Sequence, residues 1–78
     1  MKHMKNKERY YNALIQNQGH INEIDLGEKI QLNEIETREI IAQLLVEHRI
    51  AYEVNRNCNY KVVNINAYKW QKNILYIL

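Results

Sequence analysis

The segment that most constrains the fold of this chain is "QLNEIETREIIAQLLVEHRI", residues 31–50. Its apolar side chains recur at helical spacing and form the strongest periodic pattern in the sequence. The members of this stripe are Thr37, Ile40, Ile41, Leu44 and Leu45. At Ile50 the pattern changes to the alternation that is typical of short strands. We therefore expect a long helix with one buried face that leads directly into β structure.

Polar residues predict where this helix begins. Asn33 is a favoured N-cap residue, and Glu36 lies three positions later, as in a capping box. The preceding "QLN" is too short for anything except a tight turn. The long helix is therefore expected to follow closely on another element.

Residues 6–17 are predicted to form the first helix. Gly19 is placed to end it. Its apolar positions follow the helical period and lie at Tyr10, Tyr11, Leu14 and Ile15.

Residues 22–30 are predicted to form a short second helix. Asn22 suits its N-cap, and Asp25 suits the positive end of its dipole. Its apolar set is Ile24, Leu26 and Ile30. Gly27 lies inside this helix, where glycine costs ~1 kcal/mol relative to alanine. A glycine tolerated there predicts that another helix crosses close by.

Two β-prone runs after residue 49 are predicted to form a hairpin. "IAYEV" would place Ile50, Tyr52 and Val54 on one face, and "YKVV" would form the second strand. Five polar residues, "NRNCN", would form the loop. Asparagine can adopt the left-handed conformation that such a turn requires. Tyr52 and Tyr60 are expected to form a cross-strand aromatic pair.

The C-terminal extension, residues 64–78, is apolar, and the sequence allows two predictions of its conformation. It either continues the second strand or forms an extra helix capped by Asn66. It then either folds back on its own core or packs against the same segment of a partner chain. We favour a homodimer because so short a chain has limited room to bury this segment. The predicted dimerisation residues are Trp70, Ile74, Ile77 and Leu78.

The length, the composition and the order of predicted elements together indicate one mainly α domain with a small β-hairpin, spanning residues 1–78. Proline is absent, and the single cysteine, Cys58, cannot form an internal disulfide, which fits a reducing cytoplasm. No apolar run reaches ~18 residues and the N-terminus lacks a signal-peptide core, so no membrane association is expected. Residues 1–5 form a basic N-terminal arm. We interpret residues 1–3 as a cloning scar and Met4 as the natural start.

Charge is distributed unevenly along the chain. Residues 20–50 contain seven acids and three bases, a net charge of 3 − 7 = −4. The rest of the chain contains eight bases and two acids, a net charge of 8 − 2 = +6. Nucleic-acid contacts are therefore expected mainly from the basic ends of the sequence.

Over residues 6–63 the predicted order of elements resembles that of the winged helix-turn-helix family. This order is two helices, a short turn, a long helix and a hairpin. The resemblance rests on Leu26 and Gly27 in the second helix, on Leu32 before Asn33, and on the positions that follow. Those positions are Thr37, Ile41, Leu44 and Ile50. Such a fold implies a DNA-binding transcriptional regulator, here a small bacterial, phage or plasmid-borne one. Its third helix would enter the major groove.

The resemblance also implies a set of DNA-binding residues. On the third helix and its cap these are Asn33, Glu36, Thr37, Arg38 and Gln43. On the wing they are Arg56, Asn57 and Lys61, and Asn22 would hold a phosphate at the start of the second helix. The basic N-terminal positions Lys5, Lys7 and Arg9 would contact the backbone.

The acids of the third helix keep two other functions open. Glu34, Glu36 and Glu39 oppose the approach of phosphates, so the helix could instead meet a basic protein surface. The basic wing and its tyrosines could also bind single-stranded DNA. Catalysis is not expected, because the histidines and Cys58 lack partners at workable spacing. No metal or cofactor is predicted.

Overall fold

The computed structural model of the chain describes residues 5–63, which form three helices and a two-stranded antiparallel hairpin. The elements are α1 (Asn6–Asn17), α2 (Glu23–Lys29), α3 (Glu34–Val46), β1 (Ile50–Asn55) and β2 (Cys58–Val62). This confirms the predicted mainly helical class and the order of elements. The predicted dimerisation residues Trp70, Ile74, Ile77 and Leu78 lie outside the described residues, as do residues 1–3.

Side-chain caps begin α2 and α3 as the sequence predicts. The Asn22 side-chain oxygen accepts hydrogen bonds from the backbone N–H groups of Ile24 and Asp25. Asn33 accepts from the N–H of Glu36 at 2.8 Å, and the Glu36 carboxylate accepts from the N–H of Asn33 at 2.9 Å. The capping box of α3 is therefore confirmed, and it fixes the first turn of that helix.

One core joins the three helices to the hairpin. Its buried apolar residues are Tyr10, Tyr11, Leu14, Leu26, Leu32, Ile40, Ile41, Leu44, Ile50 and Cys58. Thr37 is also fully buried. Ile15, the last position of the predicted α1 stripe, is 45% exposed and lies at the edge of the buried face formed by Tyr10, Tyr11 and Leu14.

The crossing of α2 and α3 depends on Gly27. A methyl group on Gly27 would overlap the Thr37 hydroxyl and lie 2.9 Å from its Cγ2 atom. The predicted close approach of another helix is thus confirmed, and that helix is α3. Glycine is needed here for space, since any side chain would push the two helices apart.

The hairpin differs from the predicted one in its turn. Asn55 pairs with Cys58, so only Arg56 and Asn57 form the turn, whereas a five-residue loop was predicted. The left-handed conformation falls on Arg56, at φ 60, and not on an asparagine. Cys58 is 1% exposed because β2 already begins there and turns its side chain into the core.

A β-bulge explains the exposure pattern of β1. The register shifts between Tyr52 and Asn55, which places Glu53 and Val54 opposite Asn59 alone. The extra residue breaks strict alternation, so three successive side chains of β1 are exposed. Of the three residues predicted to share one face, Ile50 is buried, whereas Tyr52 and Val54 are exposed.

The tip of the hairpin is held against the connection between α1 and α2. The Asn57 backbone N–H donates to the carbonyl of Gly19 at 2.9 Å, and its side-chain amide donates to the carbonyl of His20 at 2.8 Å. Gly19, at φ 79, also leaves no room for a side chain beside the Asn55 carbonyl. The hairpin thus lies on the body of the domain and ends in a short turn.

A buried carboxylate secures the start of β2. Glu23 is 8% exposed and accepts from the Asn59 backbone N–H and side-chain amide, both at 3.0 Å. Burial opposes ionisation of Glu23, but these hydrogen bonds outweigh it and hold its pKa below the usual range. The Tyr10 hydroxyl donates to the Glu23 carbonyl at 2.8 Å. The cluster connects α1, α2 and β2.

Candidate functional site

The candidate site is the outward face of α3 together with the hairpin beside it. The buried face of α3 consists of Thr37, Ile40, Ile41 and Leu44. On the opposite side, the helical period aligns four exposed side chains, which we call the outward row. Its members are Ile35, Glu39, Ala42 and Val46. Ile35 is 70% exposed and Val46 is 78% exposed, so this row is unusually apolar for an uncovered helix face.

Arg38 lies beside the outward row and is the only Lys or Arg in α3. Its Nε donates to Glu34 Oε2 at 2.8 Å, and one of its terminal nitrogens lies 2.8 Å from the same oxygen. Both side chains are more than half exposed. Such an exposed pair contributes only ~0–1 kcal/mol, so Arg38 can exchange its partner at low cost.

A shallow groove separates α3 from the hairpin. Its lining consists of Arg38, Ile41, Ala42, Leu45 and Tyr60. The Tyr60 ring contacts that of Tyr52 edge to face, with 5.4 Å between centroids, which confirms the predicted cross-strand pair. Tyr52 is 72% exposed. The groove is therefore lined both by Tyr60 of the hairpin and by Ala42 of the outward row.

Two predicted wing cations lie on the hairpin. Arg56 is exposed at its tip, in a left-handed conformation that a non-glycine residue adopts at a cost of ~1–2 kcal/mol. Lys61 on β2 is paired with Glu53 at 3.6 Å, and both side chains are more than half exposed. Arg56 and Lys61 can thus reach a ligand. The predicted role of Asn57 is weakened, because its amide is held by the His20 carbonyl.

Thr37 was wrongly predicted to contact DNA. It is fully buried, and its hydroxyl donates to the Asn33 carbonyl at 2.8 Å. Position 37 faces the core because it lies one helical turn before the buried Ile40 and Ile41.

The other polar residues predicted near the helix starts are occupied by capping. Asn22, Asn33 and Glu36 direct their side chains to backbone N–H groups of their own helices. The Asn22 amide also donates to Asp25. Gln43 is exposed on the flank of the outward row.

The predicted basic N-terminal positions do not join the outward row. Lys7 and Arg9 are part of α1, and Lys5 precedes it. Lys7 is paired with Glu47 just after α3, and Arg9 donates to the Ile30 carbonyl at 2.8 Å. Only Lys5 of the three is exposed without an ion pair in the described part of the chain.

An ion-pair network fixes α1 to the corner between α3 and β1. Arg49 donates to both carboxylate oxygens of Glu8 at 2.8 Å and lies 4.0 Å from the centre of the Tyr11 ring. The hydrogen bond from Arg49 lowers the pKa of Glu8. This geometry makes Arg49 a structural cation that is not free for a ligand.

The charge of the described region limits its affinity for phosphates. Residues 5–63 contain eight Lys and Arg and nine Asp and Glu, a net charge of 8 − 9 = −1. Four of these bases form ion pairs: Lys7, Arg38, Arg49 and Lys61. A nucleic-acid contact on this surface would therefore depend on a few cations and on the chemistry of the outward row.

Sequence reasoning missed the outward row itself. Ile35, Ala42 and Val46 were not among the predicted site residues, although their helical spacing places them opposite the buried stripe. The available signal was the position of apolar residues on both sides of one helix.

Comparisons with known proteins do not assign this surface a role. No protein-family model matches the chain, and neither curated proteins nor solved structures give a match. None of the helices within residues 5–63 has the length and apolar character needed to cross a membrane.

Proposed function

We propose that the chain is a winged helix-turn-helix domain that binds duplex DNA, as a small bacterial, phage or plasmid-borne transcriptional regulator. The observation that supports this most is the packing of α2 and α3. These helices are joined by a tight turn and cross at Gly27 and Thr37, and within residues 5–63 the opposite face of α3 is exposed. That face extends for ~16 Å, a length that fits a major groove.

In this proposal α3 lies in the major groove and the hairpin contacts the adjacent backbone. Arg38 and Gln43 reach base edges from the flanks of the outward row. Arg56 at the hairpin tip and Lys61 on β2 contact phosphates. Lys5 supplies a further contact from the start of α1. Within residues 5–63, Lys5, Gln43 and Arg56 are exposed and form no ion pair, whereas Arg38 and Lys61 each pair with a carboxylate.

The acids of α3 are compatible with moderate affinity only. Exposed pairs such as Arg38–Glu34 and Lys61–Glu53 contribute little to stability, so each cation can exchange its carboxylate for DNA. With roughly three phosphate contacts, log affinity falls with log salt with a slope of about −3. Because base-edge contacts are salt-insensitive by comparison, sequence preference should persist as salt rises.

The test is a fluorescence-anisotropy titration of the full chain with labelled duplexes of random sequence, between about 50 and 200 mM salt. Arg56→Ala should weaken binding and reduce the salt slope by about one. Lys29→Ala is the matched control, because Lys29 is an exposed cation of α2 that forms no ion pair in the described part of the chain. Absence of duplex binding at the lower salt concentration, or equal effects of the two variants, would contradict the proposal.

A second candidate is a protein-interaction module, supported by the apolar outward row of α3 and by the exposed Tyr52 on the hairpin. Uncovered apolar surface flanked by aromatic and Arg side chains is typical of protein interfaces. The neighbouring carboxylates would favour a basic partner surface. Binding that survives high salt, requires Ile35 and Val46, and occurs without duplex retention would support this candidate over DNA.

Single strands and dimerisation are tested with the same sample. Single-stranded DNA binding would depend on stacking against Tyr52, so tighter binding of single strands that is lost in Tyr52→Ala would replace the duplex proposal.

We also propose a homodimer through residues 64–78, which rests on the sequence alone. Light scattering that gives twice the chain mass supports it, and a monomer mass contradicts it.

A further inference from the structure

We infer that α3 reads a pyrimidine-rich strand, with thymine methyl groups facing its aliphatic side chains and a cytosine amino group facing Glu39. This inference rests on the proposed duplex binding and specifies the DNA sequence class. It is carried by the composition of the outward row. Three of its four members are aliphatic, and the fourth is an acceptor that forms no ion pair in the described part of the chain.

The geometry sets how much sequence the row can contact. Ile35 and Val46 are eleven positions apart on the same side of α3, a distance of ~16 Å along the axis. At ~3.4 Å per base, this distance corresponds to about five successive base pairs. Glu39 and Ala42 lie between them, so the outward row presents a side chain to the DNA along its whole length.

The chemistry of these side chains selects among base edges. In the major groove, thymine presents a C5-methyl group that aliphatic side chains contact. Cytosine presents an N4 amino group that donates to a carboxylate, whereas guanine presents only acceptors at O6 and N7. Glu39 therefore disfavours guanine at its position. Ile35, Ala42 and Val46 favour thymine at theirs.

Arg38 does not reverse this preference. It is the only cation of α3, and two of its nitrogens lie 2.8 Å from one oxygen of Glu34. Bidentate recognition of guanine requires two free donors on one side of the guanidinium. Glu34 occupies only the side formed by Nε and one terminal nitrogen, so the side formed by the two terminal nitrogens can still contact a guanine. Because Arg38 lies on the flank of the outward row, a guanine that it contacts is not one of the bases that the row faces.

The experiment uses two pools of short duplexes with random centres, one containing thymine and one containing uracil in its place. Uracil keeps every hydrogen-bonding group of thymine and lacks only the C5-methyl. We expect sequences retained from the thymine pool to share a thymine-rich pyrimidine run with one cytosine. Replacement by uracil should weaken binding about fourfold for each contacted methyl.

Variants assign the effect to α3. Ile35→Ala and Val46→Ala should reduce the preference for thymine over uracil, and Glu39→Gln should change the preferred cytosine to adenine. These side chains are exposed, so the substitutions leave the core unchanged. Ile15→Ala, which truncates an exposed isoleucine of α1, is the matched control and should leave the preference intact.

The outcomes separate the inference from the proposed function. Equal retention of the thymine and uracil pools, with duplex binding intact, overturns the inference and leaves duplex binding in place. Retained sequences that are rich in guanine at the contacted positions also overturn it. Failure to retain either pool at low salt overturns the proposed function itself.

Discussion

Replacing Gly27 by alanine tests whether the α2–α3 crossing organises this domain. In a helix interior, alanine is favoured over glycine by ~1 kcal/mol, so helix propensity alone predicts stabilisation. The structure predicts the opposite. The new methyl overlaps the Thr37 hydroxyl and lies 2.9 Å from Thr37 Cγ2 and 3.0 Å from its Cβ.

The expected magnitude follows from these opposing effects. Rotation of Thr37 does not remove the overlap, because both branches of its side chain lie near the added methyl. Thr37 is also fully buried and bonded to the Asn33 carbonyl. Overpacking of this kind costs up to ~3 kcal/mol. After the propensity gain, we expect a net loss of ~2 kcal/mol in the free energy of unfolding. The melting temperature should fall by ~8–16 °C.

A double-mutant cycle with Thr37→Ala gives the sharper test. Thr37→Ala alone should cost ~1–2 kcal/mol through lost packing and one lost hydrogen bond. It removes both branches that obstruct the methyl, so the two substitutions together should cost ~2 kcal/mol less than their sum. Urea unfolding, monitored by circular dichroism, gives the free energy of unfolding of each variant in the cycle. Glu28→Ala, an exposed α2 substitution, is the control and should change stability by less than ~0.5 kcal/mol. Stabilisation by Gly27→Ala, or strict additivity, would refute the crossing.

Three further predictions follow from backbone strain and from charge. His48→Gly should raise the free energy of unfolding by ~1 kcal/mol in urea titrations, because His48 lies at φ 59, where glycine is not strained. Arg56→Gly should also stabilise the fold by ~1 kcal/mol, yet weaken duplex binding in anisotropy titrations; a gain in both would contradict the role of Arg56. Arg49 lowers the pKa of Glu8, so this pair stabilises the fold at neutral pH and its contribution is lost as pH falls below ~4. Glu8→Gln should make acid unfolding less steep, whereas an unchanged acid transition would show that the pair contributes nothing.

The sequence predicts helices well where local signals agree. The caps at Asn22 and Asn33 and the helical stripe of α3 fix the bounds of two helices, because capping and periodicity are local properties. Gly27 adds one non-local prediction, the close crossing, because glycine destabilises a helix interior and its presence there favours a steric reason. The cap and stripe signals, by contrast, depend on few residues and on nothing outside their own segments.

The features missed from the sequence depend on three-dimensional context. Nothing local distinguishes Cys58 as a buried strand residue, because its place follows from the pairing with Asn55 and the bulge in β1. The left-handed Arg56 is likewise imposed by strand pairing and not by its own preference.

The site was predicted less well than the fold for a related reason. Thr37 was assigned two incompatible roles, and its burial decides for the core. The sequence shows how many charges each segment carries, but it does not show that Lys7 and Arg49 are neutralised by partners some forty positions away. The cations that remain available to a ligand can therefore be identified only from the structure.

The most direct measurement is chemical-shift mapping of the full chain with a duplex retained from the random pool. The proposed mode of binding predicts that the largest amide shifts occur at Ile35, Arg38 and Ala42 on α3 and at Arg56 on the hairpin. Gln16, exposed on α1, should not shift. These shifts should weaken as salt increases, because the phosphate contacts are screened. Shifts confined to α1, or none on adding duplex at low salt, would contradict DNA binding by α3 and the hairpin.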